Sequence, residues 1–523
     1  MKPGFRQAMA WLHNWAGLVL GWVMFAIFLT GTLTVFRAEI SHWMQPDRQI
    51  TPASQQQATA AAERYLRQHA ADARQWYIYP PSGRETSMLL YWEDADDNWH
   101  NVRIDPHRAE PAHQRASLGG DFFYRFHFEL HLPYPWGRLL ACLAAMVMLV
   151  ALVSGIVTHR RIFKDFFTFR PAKAPQRAWL DAHNAVGVLA LPFHLVITYS
   201  GLVTLMMLVM PAALDALYQG DRQAYRSELI GMPPKVAPSG VARPLQPLAP
   251  MVAAASRHWQ GGPVGTIAVT APGDANARVR IEQSETMQLR SRGSGVVFDG
   301  ATGRPLTLLA TQQPAALAHD VIFGLHMGRF ADYGLRWLYF LCGVAGTLMI
   351  GSGLVLWSIK RRQREAKAGT AGFGARLVET LNIATIAGLP LAVAAFFWAN
   401  RLVPLARPER ADEEVLCFFA AWVLSLLHAA IRPARAAWRE QLAAVAMLLG
   451  TVPLLSLLTV PAHLGNAFAR GNTVGAVFEL TALAFGAAFA YAAYQAHRAG
   501  KRPVPADAAT RRRPAATLAQ ETP

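Results

Sequence analysis

The chain has 523 residues, of which 53% are hydrophobic and only 16% charged, with a formal net charge of +16. That balance excludes an ordinary soluble domain, and the three cysteines, Cys142, Cys342 and Cys417, all fall in apolar runs, excluding a disulfide framework or a CxxC metal site. The positive charge does not require nucleic acid, because the basic residues gather beside apolar runs, where they meet anionic lipid headgroups and fix topology.

In chain order, eight runs are long enough to cross a bilayer as helices: about 14–36, 138–158, 183–210, 333–358, 377–399, 412–430, 441–461 and 473–496. The predicted organisation is a first span within 1–36, an outer domain 37–137, a span 138–158 and a basic loop 159–182. A third span 183–210, an outer domain 211–332, a fourth span 333–358 and a basic loop 359–376 follow. A four-helix membrane domain 377–497 and a tail 498–523 complete the chain. Arg160, Arg161, Lys164, Arg170, Lys173 and Arg177 in one loop, and Lys360, Arg361, Arg362, Arg364, Lys367 and Arg376 in the other, place both termini in the cytoplasm by the positive-inside rule. The outer loop Arg401–Arg410, with three arginines, fits that rule less well. The fold class is therefore a mainly α membrane protein with two small outer α+β domains.

Each outer segment reads as one helix over a three-stranded sheet. In the first, an alanine-rich helix Gln55–His69 precedes strands Gln75–Tyr79, Thr86–Trp92 and Asn98–Ile104. In the second, a helix near Leu248–Trp259 precedes strands near Gly265–Thr270, Arg278–Gln283 and Gly295–Phe298. Neither shows a nucleophile–base pair or a phosphate loop. The run Phe122–Phe128 is either an interfacial aromatic belt or the rim of a cofactor pocket.

The spans repeat. His13-Asn14 leads to Thr30-Gly31, and His183-Asn184 leads to Ser200-Gly201 at the same spacing. Leu130-His131 precedes a helix ending Ser154-Gly155, and Leu325-His326 precedes one ending Ser352-Gly353. The pattern is a duplicated unit of helix, outer domain and helix, with both copies entering the membrane in the same direction.

Histidines in hydrocarbon are costly and mark function. His13, His159 and His183 fall at the cytoplasmic ends of spans, His131 and His326 at outer ends, and His194 between, roughly 16 Å along the helix from His183. Zinc sites add cysteine or carboxylate ligands at short spacing, and none are near. Haem needs one or two axial imidazoles and an apolar pocket, which a helix bundle offers. Two layers are expected: His13 and His183 with His159 competing, and His131 and His326 with His194 competing. His159 also reads as part of the basic cluster, and His127 as a supporting residue. Glu479 reads as a carboxyl paired to a neighbouring helix or as a proton or quinol site.

Three stretches, Leu12–Gly17, Ser154–Phe169 and Asp181–Gly201, together with Leu325–Arg329, resemble the PepSY-associated transmembrane helix family over about residues 1–365. The resemblance implies PepSY-like outer domains, location in a bacterial inner membrane and two haems b. It further implies an oxidoreductase, a ferric-siderophore or other ferric-chelate reductase in iron uptake, with a quinol or a cytoplasmic reductase as donor. The alternative is a non-enzymatic membrane scaffold that binds protein partners through its PepSY units. Outward transfer places the acceptor at the junctions Phe122–Trp136 and Ile322–Tyr333, in a shallow cleft between the two units, with Arg125, Arg329, Tyr124 and Phe126 as candidate contacts.

Overall fold

A computed structural model describes residues 4–47, 53–159, 175–230, 236–290, 294–309, 313–369 and 372–501. The basic residues at 160–173 and most of the C-terminal tail lie outside the described residues. The chain is a multi-pass helical membrane protein: five helices are long and apolar enough to cross a bilayer, or up to eight if each bent pair is one span.

The first bent pair is α1 (Phe5–Val19) and α2 (Gly21–Thr34), turning by 66° at Leu20. Its counterpart is α7 (Pro175–Leu189) and α8 (Leu191–Thr204), turning by 68° at Ala190. The same bend has two local causes. Pro192 cannot donate a backbone hydrogen bond into the preceding turn. Gly21 has no Cβ, and one there would meet Leu354 at 2.6 Å. Between these pairs come the short helix α3 (Arg37–Met44), α4 (Gln55–His69), α5 (Gly120–Glu129) and the straight span α6 (Trp136–Thr158).

After α8 come α9 (Leu248–His258), α10 (Pro314–Met327) and the long helix α11 (Tyr333–Ala368). The C-terminal bundle is α12 (Phe373–Ile386), α13 (Gly388–Leu402), α14 (Arg410–Ile431), α15 (Ala434–Gly450), α16 (Val452–Thr459) and α17 (Thr473–Lys501).

The strands depart from the sequence reading. Each unit has four rather than three: β1 (Gln75–Tyr79), β2 (Met88–Glu93), β3 (Trp99–Asp105) and β4 (Glu110–Pro111), then β5 (Val264–Thr270), β6 (Arg278–Gln283), β7 (Gly295–Asp299) and β8 (Pro305–Leu309). All eight form one antiparallel sheet in the order β4-β3-β2-β1-β5-β6-β7-β8. β1 and β5 pair directly, with Trp76 opposite Val269 and Ile78 opposite Ile267. Two separate sheets would each leave an edge of unpaired backbone groups at this point, and joining them removes both edges. One face of the sheet (Trp76, Ile78, Leu90, Val279, Phe298) packs under Ala58, Ala61 and Leu66 of α4 and Met251, Val252 and Ala255 of α9. The expected cleft between two units is thus closed where β1 meets β5.

Candidate functional site: two pairs of histidines

His13 on α1 and His183 on α7 each sit seven residues before a bend. His13 Nδ1 lies 2.8 Å from the Ala151 carbonyl of α6. His183 Nδ1 lies 2.9 Å from the Met349 carbonyl of α11 and 3.1 Å from Ser352 Oγ. The two ring centroids are 6.3 Å apart, with planes at 66°.

Nearer the sheet, His127 on α5 and His326 on α10 form a second pair, with centroids 6.1 Å apart and planes at 23°. His127 Nδ1 lies 2.8 Å from the Ile27 carbonyl of α2. His326 Nδ1 lies 3.1 Å from the Ile197 carbonyl of α8 and 3.1 Å from Ser200 Oγ.

One local rule builds all four positions. Each Nδ1 meets the carbonyl four residues before the glycine of a Ser-Gly or Thr-Gly pair: Thr30-Gly31, Ser154-Gly155, Ser200-Gly201 and Ser352-Gly353. The ring then lies over that glycine. An added Cβ would come to 2.7 Å from the His127 ring at Gly31 and 3.0 Å from His326 at Gly201. At Gly155 it would come to 3.1 Å from His13, and at Gly353 to 3.3 Å from His183. The hydroxyls turn back onto their own helices, as Thr30 does to the Ala26 carbonyl at 2.7 Å and Ser154 to that of Val150 at 2.6 Å. Glycine gives the ring room, and the neighbouring hydroxyl bonds its own helix, with those of Ser200 and Ser352 also 3.1 Å from the histidine Nδ1.

A carbonyl only accepts, so each Nδ1 carries a proton and each neutral ring keeps its Nε2 lone pair for a ligand. None of the four Nε2 atoms has a hydrogen-bond partner among the described residues. The four rings are half-buried, whereas His194 in the same bundle is fully buried. Metal–imidazole bonds of about 2 Å put the centroids of two imidazoles on opposite faces of one metal roughly 6 Å apart, matching both pairs. Each pair offers two nitrogens, and no group of three or more His, Cys, Asp or Glu that could hold a metal occurs among the described residues. The arrangement suits a metal whose other ligands arrive with it, as haem iron's do.

The other residues singled out from sequence lie elsewhere. His131, expected opposite His326, stands in a turn at φ 56° with its ring against Phe122 and Phe419. His127, read from sequence as a supporting residue, is the ring that faces His326 instead. A signal for this was present: His127 precedes Gly155 by 28 residues and His326 precedes Gly353 by 27, against 24 for His131. Asp121 and Asp320 also stand six residues before His127 and His326. The matching Leu-His dipeptides singled out His131, whose ring does not face His326.

His159 Nε2 lies 2.9 Å from Asn184 Nδ2, and His194 packs against Phe28 with Nε2 3.3 Å from the Cys342 carbonyl. Phe126 is buried among Phe418, Phe419 and Trp422 and is not available to a substrate. Arg125 is exposed, 3.7 Å from Glu129, and Arg329 donates to Glu285 at 2.6 Å. Tyr124 lies beneath the Arg37 guanidinium at 4.3 Å. Glu479 is a structural carboxylate, accepting from Trp43 Nε1 at 3.1 Å and Leu464 N at 3.0 Å.

These features define a multi-pass membrane protein with two pairs of histidines set against repeated Ser/Thr-Gly motifs. The model of the PepSY-associated TM region matches residues 10–360, and the chain belongs to that family. It is also 26% identical over 416 residues to an uncharacterised protein of Pseudomonas aeruginosa, a match spanning 73% of this chain and 96% of that protein.

Proposed function

We propose that the protein is an inner-membrane electron conduit that holds two haems b and reduces ferric chelates, such as ferric siderophores, on the periplasmic side. Eight spans, both termini in the cytoplasm, a periplasmic sheet and a duplicated half belong to this reading. The observation that carries it is the double pair of imidazoles at 6.3 and 6.1 Å, each with Nδ1 on a carbonyl and Nε2 free. His13 and His183 would hold the cytoplasmic haem, and His127 and His326 the periplasmic one. Bound haem supplies reversible one-electron chemistry.

The chain's own residues fix the rings, exclude water and set the route. The carbonyls of Ala151, Met349, Ile27 and Ile197 hold the tautomer that leaves Nε2 free. Apolar helices around the pairs keep the centres in a medium of low dielectric. The substrate iron is released because Fe(II) is held less tightly than Fe(III) by a hard oxygen cage. An anionic chelate would meet exposed Arg125 and Arg329 in exchange for their partners Glu129 and Glu285, with Tyr124 beneath Arg37.

Visible spectra and haem extraction of the purified chain test this. Two haems b per chain, reducible by dithionite and reoxidised by a ferric chelate, are expected. A colourless protein from haem-replete cells ends the proposal.

A further inference from the structure

A groove of about 1870 Å³ runs between the repeat helices α2 and α11 and the C-terminal helices α12, α13, α15 and α17. On α11 it is lined from Arg336 to Arg362, 26 residues or about 39 Å of helix, which exceeds a hydrocarbon core of about 30 Å. Its middle is apolar and aromatic, with Phe25, Phe340, Phe397, Phe478, Phe485 and Phe489 on its walls. Both ends are polar: Glu39 pairs with Arg84 and Arg336 at the sheet end, and charged groups also line the end remote from the sheet. There the mostly buried Glu379 accepts from Trp438 Nε1 at 2.8 Å, with Arg362 at 3.7 Å and Arg435 and Arg498 also on the wall. Ser352, whose hydroxyl is 3.1 Å from His183 Nδ1, lines the same groove.

We propose that this groove binds a long-chain isoprenoid quinol, with its ring beside Glu379, Trp438 and Ser358 and its tail along the slot. The length decides against a phospholipid as the sole occupant: acyl chains entering from one face end near the bilayer midplane and leave the other half of the slot unfilled. The end remote from the sheet fits a quinol ring, because the Glu379 carboxylate accepts from a ring hydroxyl while an indole and guanidinium groups stand close by, whereas Glu39 at the sheet end is already held by two arginines. A wall shared with the residue that touches His183 places the occupant beside the first histidine pair.

This inference rests on the conduit reading for its electron acceptor. Oxidation of the quinol to the quinone releases two electrons and two protons. Haem held by the two histidine pairs would accept these two electrons, one at each pair. The Glu379 carboxylate takes one proton and water at the cytoplasmic mouth takes the other.

The test uses the full chain purified from membranes in mild detergent. Solvent extraction followed by mass spectrometry is expected to find about one quinone per chain, fewer after Val344→Trp, which blocks the slot. Decylubiquinol should reduce the haem, and Glu379→Gln should slow this about tenfold through loss of a charged acceptor, with the dithionite-reduced spectrum unchanged. Phospholipid alone in the extract, with decylubiquinol reduction unaffected by both substitutions, overturns the proposal while leaving the conduit reading intact. Haem-free protein that still retains quinone in a Val344-dependent way supports the groove and removes the conduit.

Discussion

The two histidine helices nearest the sheet are built alike but covered differently. On α5, Phe122, Phe123 and Phe126 are buried against Phe396, Phe397, Phe418 and Trp422 of α13 and α14, with Phe122–Phe396 and Phe122–Phe418 centroids at 4.8 and 4.9 Å. On α10 the matching positions are Val321, Ile322 and Leu325, all half-buried. The local motif sets where an imidazole points, while the added C-terminal helices decide which side of the pair is sealed. On the proposed reading, the α10 side, where Arg329 stands, is the one an acceptor would approach.

That seal is tied down by buried charge. Arg410 and Glu414 are fully buried and paired, and Glu414 also accepts from Asn400 Nδ2 at 2.8 Å and Ser117 Oγ at 2.6 Å. Arg401 lies 3.8 Å over the Trp43 ring and donates to the Trp43 carbonyl at 2.7 Å. Two of the three arginines that fit the charge rule poorly are thus interior residues that join the C-terminal helices to α3 and the segment before α5. Arg407 is paired with Glu413 at the surface.

The largest effect is expected at the rings themselves. His127→Ala and His326→Ala should each lower haem from two per chain to one, whereas His131→Ala should keep both. Haem extraction and redox titration check this, and loss of haem in His131→Ala with retention in His127→Ala would restore the other pairing.

Next comes the seal. Glu414→Leu leaves Arg410 buried without its carboxylate, which should cost about 3–5 kcal/mol. Thermal unfolding in detergent measures it, and an unchanged midpoint would show that the charge network does not hold the helices together.

A matched pair of truncations sharpens the comparison of the two halves. Phe126→Ala should cost about 3–5 kcal/mol because its pocket is closed on every side, and Leu325→Ala less than about 2 kcal/mol because its site is half-open. Equal losses would mean that the two helices are covered alike.

The smallest expected effects are at the glycines. Gly31→Ala, with its Cβ 2.7 Å from the His127 ring, should shift a midpoint potential more than Gly201→Ala at 3.0 Å, and Gly353→Ala at 3.3 Å should shift it least. Potentiometry on the three variants reads the order, and a reversed order would mean that ring displacement does not control the potential.

Much of this was legible in residue order. Hydrophobicity over some twenty residues is a property of a window, so the apolar runs that pack as helices could be read directly. The helix Gln55–His69 and the strands Gln75–Tyr79 and Arg278–Gln283 were also local, because alternation and alanine-rich patterning act within a few residues. The repeated Ser/Thr-Gly pairs were visible too, although their role was not.

Tertiary structure decided what depends on segments more than a hundred residues apart. Whether His127 or His131 meets His326 turns on which ring reaches a carbonyl four residues before a glycine on another helix, and a Leu-His dipeptide does not encode that rotation. Pairing of β1 with β5 joins strands nearly two hundred residues apart, and their own alternation is the same whether they end a sheet or lie in its middle. Arg401 and Arg410 look like loop charges until Trp43 and the Ala116 carbonyl are placed beside them. The sequence by itself determined the membrane class, the apolar runs and the recurring Ser/Thr-Gly pairs; folding alone chose which histidine rings face each other, because helix rotation is set by packing.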